Sequence, residues 1–379
     1  MNVQAAVVFE YDGPVEVRTV DLRDPGPGEV RVRMAASGVC HSDQHARVAD
    51  LPLPLPLILG HEGAGIVDAV GPGVRSLDVG DAVVLSWIPA CGTCRLCRRG
   101  QRHLCTRAAD ATREGLLLTG ESPFSLDGQA LHPFSMTGTL AEATVVPEAG
   151  AIRIPADMPL EEAALMGCAV LTGVGAVLNT GVVRPGDTVA VIGTGGVGLN
   201  IVQGARIAGA ARIIALERFH ARRLLAARLG ATEVVDIGEE DAVDAVLDRT
   251  GGEGADVVFE AVGSVGTIAQ AFNATRRGGT AVIVGVAPPH EEVALNAFAF
   301  PSQGKTLRGS WYGDSDGPRD IPRLVELYRA GLLELRPLLG PPFQLEDVAI
   351  AFDHMLDGHV GRAVVLPGGP LTPPSSSVH

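Results

Sequence analysis

Apolar positions along this chain fall into two textures. Up to about Pro159 they form short runs broken by Gly and Pro: Val30-Arg31-Val32-Arg33-Met34, Ala64-Gly65-Ile66-Val67-Asp68-Ala69-Val70 and Ala82-Val83-Val84-Leu85. Runs this short, with a turn signal at each end, predict strands of an irregular antiparallel barrel. Between Leu51 and Leu57 proline recurs at alternate positions, which rules out helix interior and predicts an extended connector.

From about Val170 strand-type and helix-type patterns alternate. Thr188–Ile192 is an apolar run of the kind buried in parallel sheets, followed by a helical pattern over Val197–Ala208 and a second run over Arg212–Leu216. A helix over Ala221–Leu229, strands at Val234–Val235 and Asp256–Phe259, a helix over Thr267–Ala274 and a strand over Ala281–Val284 continue the series. That alternation predicts a doubly wound α/β sheet. After about Gly309 it stops: Ile321–Gly331 and Leu345–Leu356 read as amphipathic helices and Ala363–Leu366 as a last strand. The expected organisation is a β-rich domain over 1–169, a nucleotide-binding domain over 170–310, a return to the first domain over 311–367, and a disordered Pro/Ser/Gly-rich tail over 368–379.

The 379 residues suffice for two cores, and aromatic residues at 4% leave those cores to Val, Leu, Ala and Ile. A net charge of −14 argues against nucleic acid or an anionic membrane as partner. Residues 1–8 lack the features of a secretory signal, and no apolar stretch approaches the roughly 20 residues that span a bilayer. The expected location is the cytoplasm, where clustered cysteines point to metal rather than to disulfides.

Gly193-Thr194-Gly195-Gly196-Val197-Gly198 fits G-x-G-x-x-G between a predicted strand and a predicted helix. Such glycines bring backbone amides and a helix N-terminus close to a pyrophosphate. Glu217, at the end of the next strand, would accept hydrogen bonds from a ribose diol and repel a 2′-phosphate, favouring NAD. Arg218 beside it is a residue that would accommodate that phosphate, so NADP remains the competitor.

The six cysteines divide four and two. Cys91, Cys94, Cys97 and Cys105 form a C-x2-C-x2-C-x7-C cluster at about 91–105, enough to close a structural zinc site; Arg95, Arg98, Arg99, Arg102 and Arg107 flank it and would offset its thiolate charge. Cys40 and Cys168, with His61, supply three ligands and leave a fourth position open, as a catalytic zinc requires. Asp43 is a candidate acceptor to orient the His61 ring.

Gly60-His61-Glu62-Gly63-Ala64-Gly65, then Gly71 and Val74, resembles the zinc signature of medium-chain zinc-containing alcohol dehydrogenases. The four-cysteine lobe, the Gly167-Cys168 pair and the glycine fingerprint follow in that family's order, over nearly the whole chain. The resemblance implies a GroES-like catalytic domain joined to a Rossmann domain. It also implies zinc ligation by Cys40, His61 and Cys168, with Glu62 as an alternative ligand. Ser42 would receive the substrate's proton and His45 would pass it on. His41 stands where many relatives carry a phosphate-binding arginine, and Arg362 matches another phosphate contact. Trp87, Leu51 and Phe134 would line the substrate pocket, with Val286 beside the cofactor. The long segment from Cys105 to Thr139 matches the family's dimeric branch, so a homodimer is expected.

The expected activity is reversible hydride transfer from an alcohol ionised at zinc to NAD, giving an aldehyde or ketone, with two zinc ions per subunit. Three alternatives stand beside it. One is a thiol-adduct (hemithioacetal) formaldehyde dehydrogenase, which needs a basic residue at the pocket mouth, where Arg113 is the obvious choice. Another is an enzyme that keeps its cofactor tightly bound and uses an external acceptor. The last is a non-catalytic NAD- and zinc-binding protein, against which the intact set Cys40, Ser42, His45, His61 and Cys168 argues.

Overall fold

The computed structural model describes residues 1–369, and the expected tail falls, from residue 370 on, outside the described residues. Strands in chain order are β1 Asn2–Val8, β2 Val15–Leu22, β3 Glu29–Gly38, β4 Leu57–Ile58, β5 Glu62–Val70, β6 Ala82–Leu85, β7 Phe124–Leu126, β8 Gln129–Pro133, β9 Ala143–Pro147 and β10 Ala151–Arg153. They continue with β11 Thr188–Ile192, β12 Arg212–Leu216, β13 Glu233–Val235, β14 Ala255–Glu260, β15 Thr275–Ile283, β16 Thr306–Gly309, β17 Leu339–Gln344 and β18 Arg362–Leu366.

The chain forms two compact units. The first takes 1–98, 105–167 and 339 onward; the second takes 99–104 and 168–338. In the first, β1-β2-β7-β8-β4 close into a barrel, and a second sheet runs β10-β6-β5-β3-β18-β17 with β9 also paired to β3. Its pairings are antiparallel except β17–β18 and β4–β8. The Val- and Ala-rich inner positions of these strands supply the cores: Val30, Val32, Met34, Val67, Val83 and Leu85 pack as one cluster, and Leu57, Leu59, Phe134 and Leu140 belong to another.

The second unit holds a six-stranded sheet in the order β13-β12-β11-β14-β15-β16, parallel throughout. Numbered from β11, this is 3-2-1-4-5-6, the doubly wound order whose switch point lies between β11 and β14. Helix Gly196–Ala208 leaves β11 directly and ends at Gly209, whose φ of 85° is the left-handed cap that glycine accepts without strain.

The structure departs from the sequence reading in several places. Helix Ala242–Arg249 was not anticipated, although Asp241 caps it by accepting from the amides of Val243 and Asp244. Residues 311–338 lie with the second unit rather than the first. Helix Gly317–Arg329 buries Ile321, Leu324 and Val325, and it packs against helix Ala169–Gly175. That apolar face decides its allegiance, and it carried no sequence label naming its partner.

Glu29 opens β3 and is 1% exposed. Its carboxylate accepts from Arg23 Nη1 at 2.5 Å, Arg23 Nη2 at 2.9 Å, the Gly26 amide at 2.8 Å and Thr119 Oγ1 at 3.1 Å. Burial pushes this carboxyl up, but the Arg23, Gly26 and Thr119 bonds outweigh it and hold the group below its ordinary value. A depressed carboxyl contributes stability that is complete above its unfolded pKa and is lost as pH falls through the folded one. Glu29→Gln should therefore cost about 2–3 kcal/mol in denaturant unfolding at neutral pH and flatten the acid limb of the stability profile.

Candidate active site

The site begins where β3 ends. Cys40 caps helix His41–Arg47, and Asp43, at the third helical position, folds back on it. One Asp43 oxygen accepts from the Cys40 amide at 3.0 Å; the other accepts from the Gly60 amide at 2.9 Å and from His61 Nδ1 at 3.2 Å. The carboxylate is 0% exposed, so two loops far apart in sequence are tied to one buried acceptor. A carboxylate only accepts, so His61 Nδ1 carries a proton toward Asp43, and Nε2 is the ring nitrogen left to face a metal.

The glycines around His61 are steric requirements. Gly60 has φ +96°, and a Cβ there would lie 2.5 Å from Thr139 Oγ1 and overlap the Leu140 amide. At Gly63 a Cβ would press on Met34 and Thr139. Cys168 follows directly on Gly167, where a Cβ would lie 2.7 Å from the Leu85 carbonyl. The single-turn segment Leu165–Gly167 packs on β5 and β6, so the first unit fixes the chain up to the residue before Cys168.

The ligand atoms of Cys40, His61, Glu62 and Cys168 all lie within 4.8 Å of one another, and all four residues are buried. Burial pushes the His61 imidazolium down, yet the Asp43 charge and bond, together with Cys40, raise it well above its ordinary value. A pocket that favours positive charge on a fully buried ring suits a dication. Two thiolates and a neutral imidazole around it would give a neutral set. Glu62 is 0% exposed; burial raises its carboxyl, while Arg362, donating Nη2 to Oε1 at 2.5 Å, works the other way.

Ser42 Oγ lies 3.8 Å from Cys40 Sγ, at the edge of the ligand cluster. His45 binds Asp50 through Nδ1 at 2.8 Å. Sequence reading had not singled out Asp50; a carboxylate five residues past a histidine was the available signal. The Trp87 and Phe134 rings stand nearly perpendicular to the His61 ring, at centroid distances of 6.3 Å and 5.1 Å. Phe134 is also a core residue, 4% exposed. The Leu51 amide donates to the His45 carbonyl at 3.0 Å, which places it beside the same helix. His41 is exposed at the first turn of that helix. Arg113, the residue offered for an anionic thiol adduct, is exposed and paired with Asp110 at 2.8 Å.

The four-cysteine set also comes together, with Cys91, Cys94, Cys97 and Cys105 sulfurs within 4.8 Å of one another. Amides are aimed at sulfur: Cys94 N to Cys91 Sγ at 3.3 Å, Cys97 N to Cys94 Sγ at 3.4 Å and Cys91 N to Cys105 Sγ at 3.3 Å. The Cys97 and Thr106 amides lower Cys94 to about 5. Burial and the neighbouring sulfurs push Cys97 up to about 12. Four thiolates at this spacing would repel one another, and a cation held between them would offset that charge.

In the second unit the glycine loop has its expected geometry. Gly193 turns at φ +85°, and a Cβ on Gly198 would overlap the Gly193 carbonyl, so only glycine lets the helix start this close to the strand. A Cβ at Gly195 would meet no protein atom within 4 Å, leaving open the approach to the helix N-terminus at Gly196 and Val197. Glu217 directly follows β12, is 4% exposed, and accepts from the Thr194 amide at 2.9 Å and the Phe219 amide at 3.1 Å. The Arg218 guanidinium lies over the Phe219 ring at 4.6 Å, with Arg222 over the same ring at 4.8 Å. Val286 lines a cavity of about 530 Å³ with Val284, Arg308 and Trp311. Arg362, matched by resemblance to a phosphate contact, is bound to Glu62 in the first unit.

The alcohol dehydrogenase GroES-like domain family matches residues 26–156, and the zinc-binding dehydrogenase family matches residues 196–330. An S-(hydroxymethyl)glutathione dehydrogenase of Synechocystis is 39% identical over 368 residues, 96% of this chain and 100% of that one. Benzyl alcohol dehydrogenase of Acinetobacter calcoaceticus superposes with a TM-score of 0.91 at 29% identity, covering 97% of this chain and 99% of that one. A zinc-binding dehydrogenase of Sinorhizobium meliloti, solved bound to NADP, superposes at 0.80 with 28% identity, covering 97% of this chain and 100% of that one. Fold and site together define a zinc- and nicotinamide-dependent oxidoreductase. The chain belongs to the zinc-containing medium-chain alcohol dehydrogenase family.

Asp43→Asn keeps the shape of the anchor but removes the charge that polarises His61. It should weaken zinc binding at the three-ligand set about 10–100-fold in a competitive chelator titration while sparing the four-cysteine site.

Proposed function

We propose that this chain is an NAD-dependent alcohol dehydrogenase acting on apolar, moderately sized alcohols and aldehydes, with one zinc in the Cys40–His61–Cys168 set and one in the four-cysteine lobe. The observation that carries the reading is the buried three-ligand set with Ser42 at its edge. The metal would supply a Lewis acid that lowers the alcohol's pKa, and the nicotinamide a hydride acceptor. Cys40, His61 and Cys168 would hold the metal, with Ser42 beside Cys40 at the edge of the set. The Ser42 hydroxyl takes the substrate proton. His45, fixed through Nδ1 by Asp50, keeps Nε2 to pass that proton to solvent. Trp87 and Phe134 pack perpendicular to the His61 ring and favour an apolar substrate.

Glu217 supports NAD, because its carboxylate is pinned at the β12 end and would repel a 2′-phosphate, while Arg218 is engaged on the Phe219 ring. The exposed pairing of Arg113 with Asp110 favours a simple alcohol over an anionic hemithioacetal, the substrate type carried in the Synechocystis relative's name. Helix Thr106–Glu114 and the β7–β8 hairpin fill the long segment after Cys105 that the dimeric branch carries, which supports a homodimer. No single helix among the described residues is long and apolar enough to cross a membrane, in keeping with a cytoplasmic enzyme.

The test is NADH formation by the zinc-loaded protein over a panel of primary, secondary, benzylic and thiol-adduct alcohols, with cofactor Kd values measured alongside. The expected result is turnover of free alcohols without added thiol, tighter binding of NAD than of NADP, and loss of turnover in Cys168→Ser. Activity confined to thiol adducts, or undiminished in Cys168→Ser, would refute the reading.

A further inference from the structure

Glu62 reaches its partner by crossing a strand. In the first unit the sheet runs β5-β3-β18, with Glu62 on β5 paired to Gly38 on β3, and Gly38 in turn paired to Val364 on β18. Arg362, the partner of Glu62, begins β18. Neighbouring strands lie about 4.8 Å apart, so the Glu62 side chain must pass over β3 to meet a residue two strands away. It passes at Gly38: a Cβ there would overlap Glu62 Oε2 and lie 3.2 Å from Glu62 Cβ and 3.3 Å from Cδ. Gly38 is not among the glycines with positive φ, so its backbone does not require glycine; the space does.

The crossing leaves the carboxylate divided. Oε1 accepts from Arg362 at 2.5 Å, while Oε2 is buried with no hydrogen-bond partner. The carboxylate also lies within 4.8 Å of the Cys40, His61 and Cys168 ligand atoms. A buried bare oxygen gains much from any cation it can reach. What keeps it back is the slot over β3, with Arg362 at the far end.

We propose that Gly38 is a positioning residue of the metal site: the absence of a side chain there lets Glu62 lie across β3 against Arg362, away from the position meant for substrate. This rests on the metal-site reading above. A side chain at position 38 fills the slot, and the carboxylate must turn toward the ligand cluster, where it completes the metal's coordination.

The experiment replaces the metal of the three-ligand set with Co(II), without cofactor, and reads the visible d–d bands and the thiolate-to-metal band. Wild type should show both, with band positions that respond to added imidazole as an outside ligand. Gly38→Ala should show shifted d–d bands and lose the imidazole response, and Gly38→Ala/Glu62→Gln should recover both. Arg362→Leu, which leaves the strand untouched, should give the same Glu62-dependent change and serves if Gly38→Ala fails to fold. A Gly38→Ala spectrum identical to wild type, or a change that persists with Gln at position 62, overturns the proposal while leaving the metal site standing. Absence of the thiolate band in wild type overturns the metal-site reading and the proposal with it.

Discussion

One buried carboxylate organises the chemistry of this protein. Asp43 is fully enclosed and accepts from the Cys40 amide, the Gly60 amide and His61 Nδ1. An uncompensated charge at such depth would cost several kcal/mol, so the three donors are held to it as firmly as it is held to them. Cys40 and His61 are thereby set in place before any metal arrives. The raised His61 pKa is the electrostatic face of the same constraint: the Asp43 charge favours positive charge on the ring despite its burial.

Space is the second constraint, and glycine marks it. Gly60 admits the turn that aims its amide at Asp43, Gly198 lets a helix start against the Gly193 carbonyl, and Gly38 gives Glu62 its path across β3. The family signature around His61 is therefore largely a packing record, with His61 and Glu62 as its chemical members. Both units are built so that a reactive group is backed by a site where no Cβ fits.

Much of this was legible in the sequence. β11, β12 and β6 begin and end where apolar runs and flanking Gly or polar residues place them, because strands buried on both faces, parallel β11 and β12 and antiparallel β6 alike, read as unbroken apolar runs. The cysteine partition was legible because spacing alone distinguishes a closed set from an open one. Cys40, His61 and Cys168 meet across more than a hundred residues, which composition cannot foretell; the ordered motifs of a known family supplied that link. Asp50 and Gly38 stayed hidden for a different reason. Their roles depend on a side-chain pairing and a cross-strand register, and neither leaves a periodic trace. The allegiance of residues 311–338 was hidden likewise, since an amphipathic helix announces a buried face but not the surface that covers it.

The central claim is that one metal sits in a three-residue set with a position left open, separate from a closed four-sulfur set. X-ray absorption at the zinc edge, with zinc counted per chain, tests it most directly. The account predicts two zinc ions per chain and a mean first shell of three sulfurs to one nitrogen or oxygen: four sulfurs at one site, and at the other two sulfurs, one imidazole nitrogen and one exchangeable oxygen. A single zinc per chain, or a first shell of sulfur alone, would contradict it.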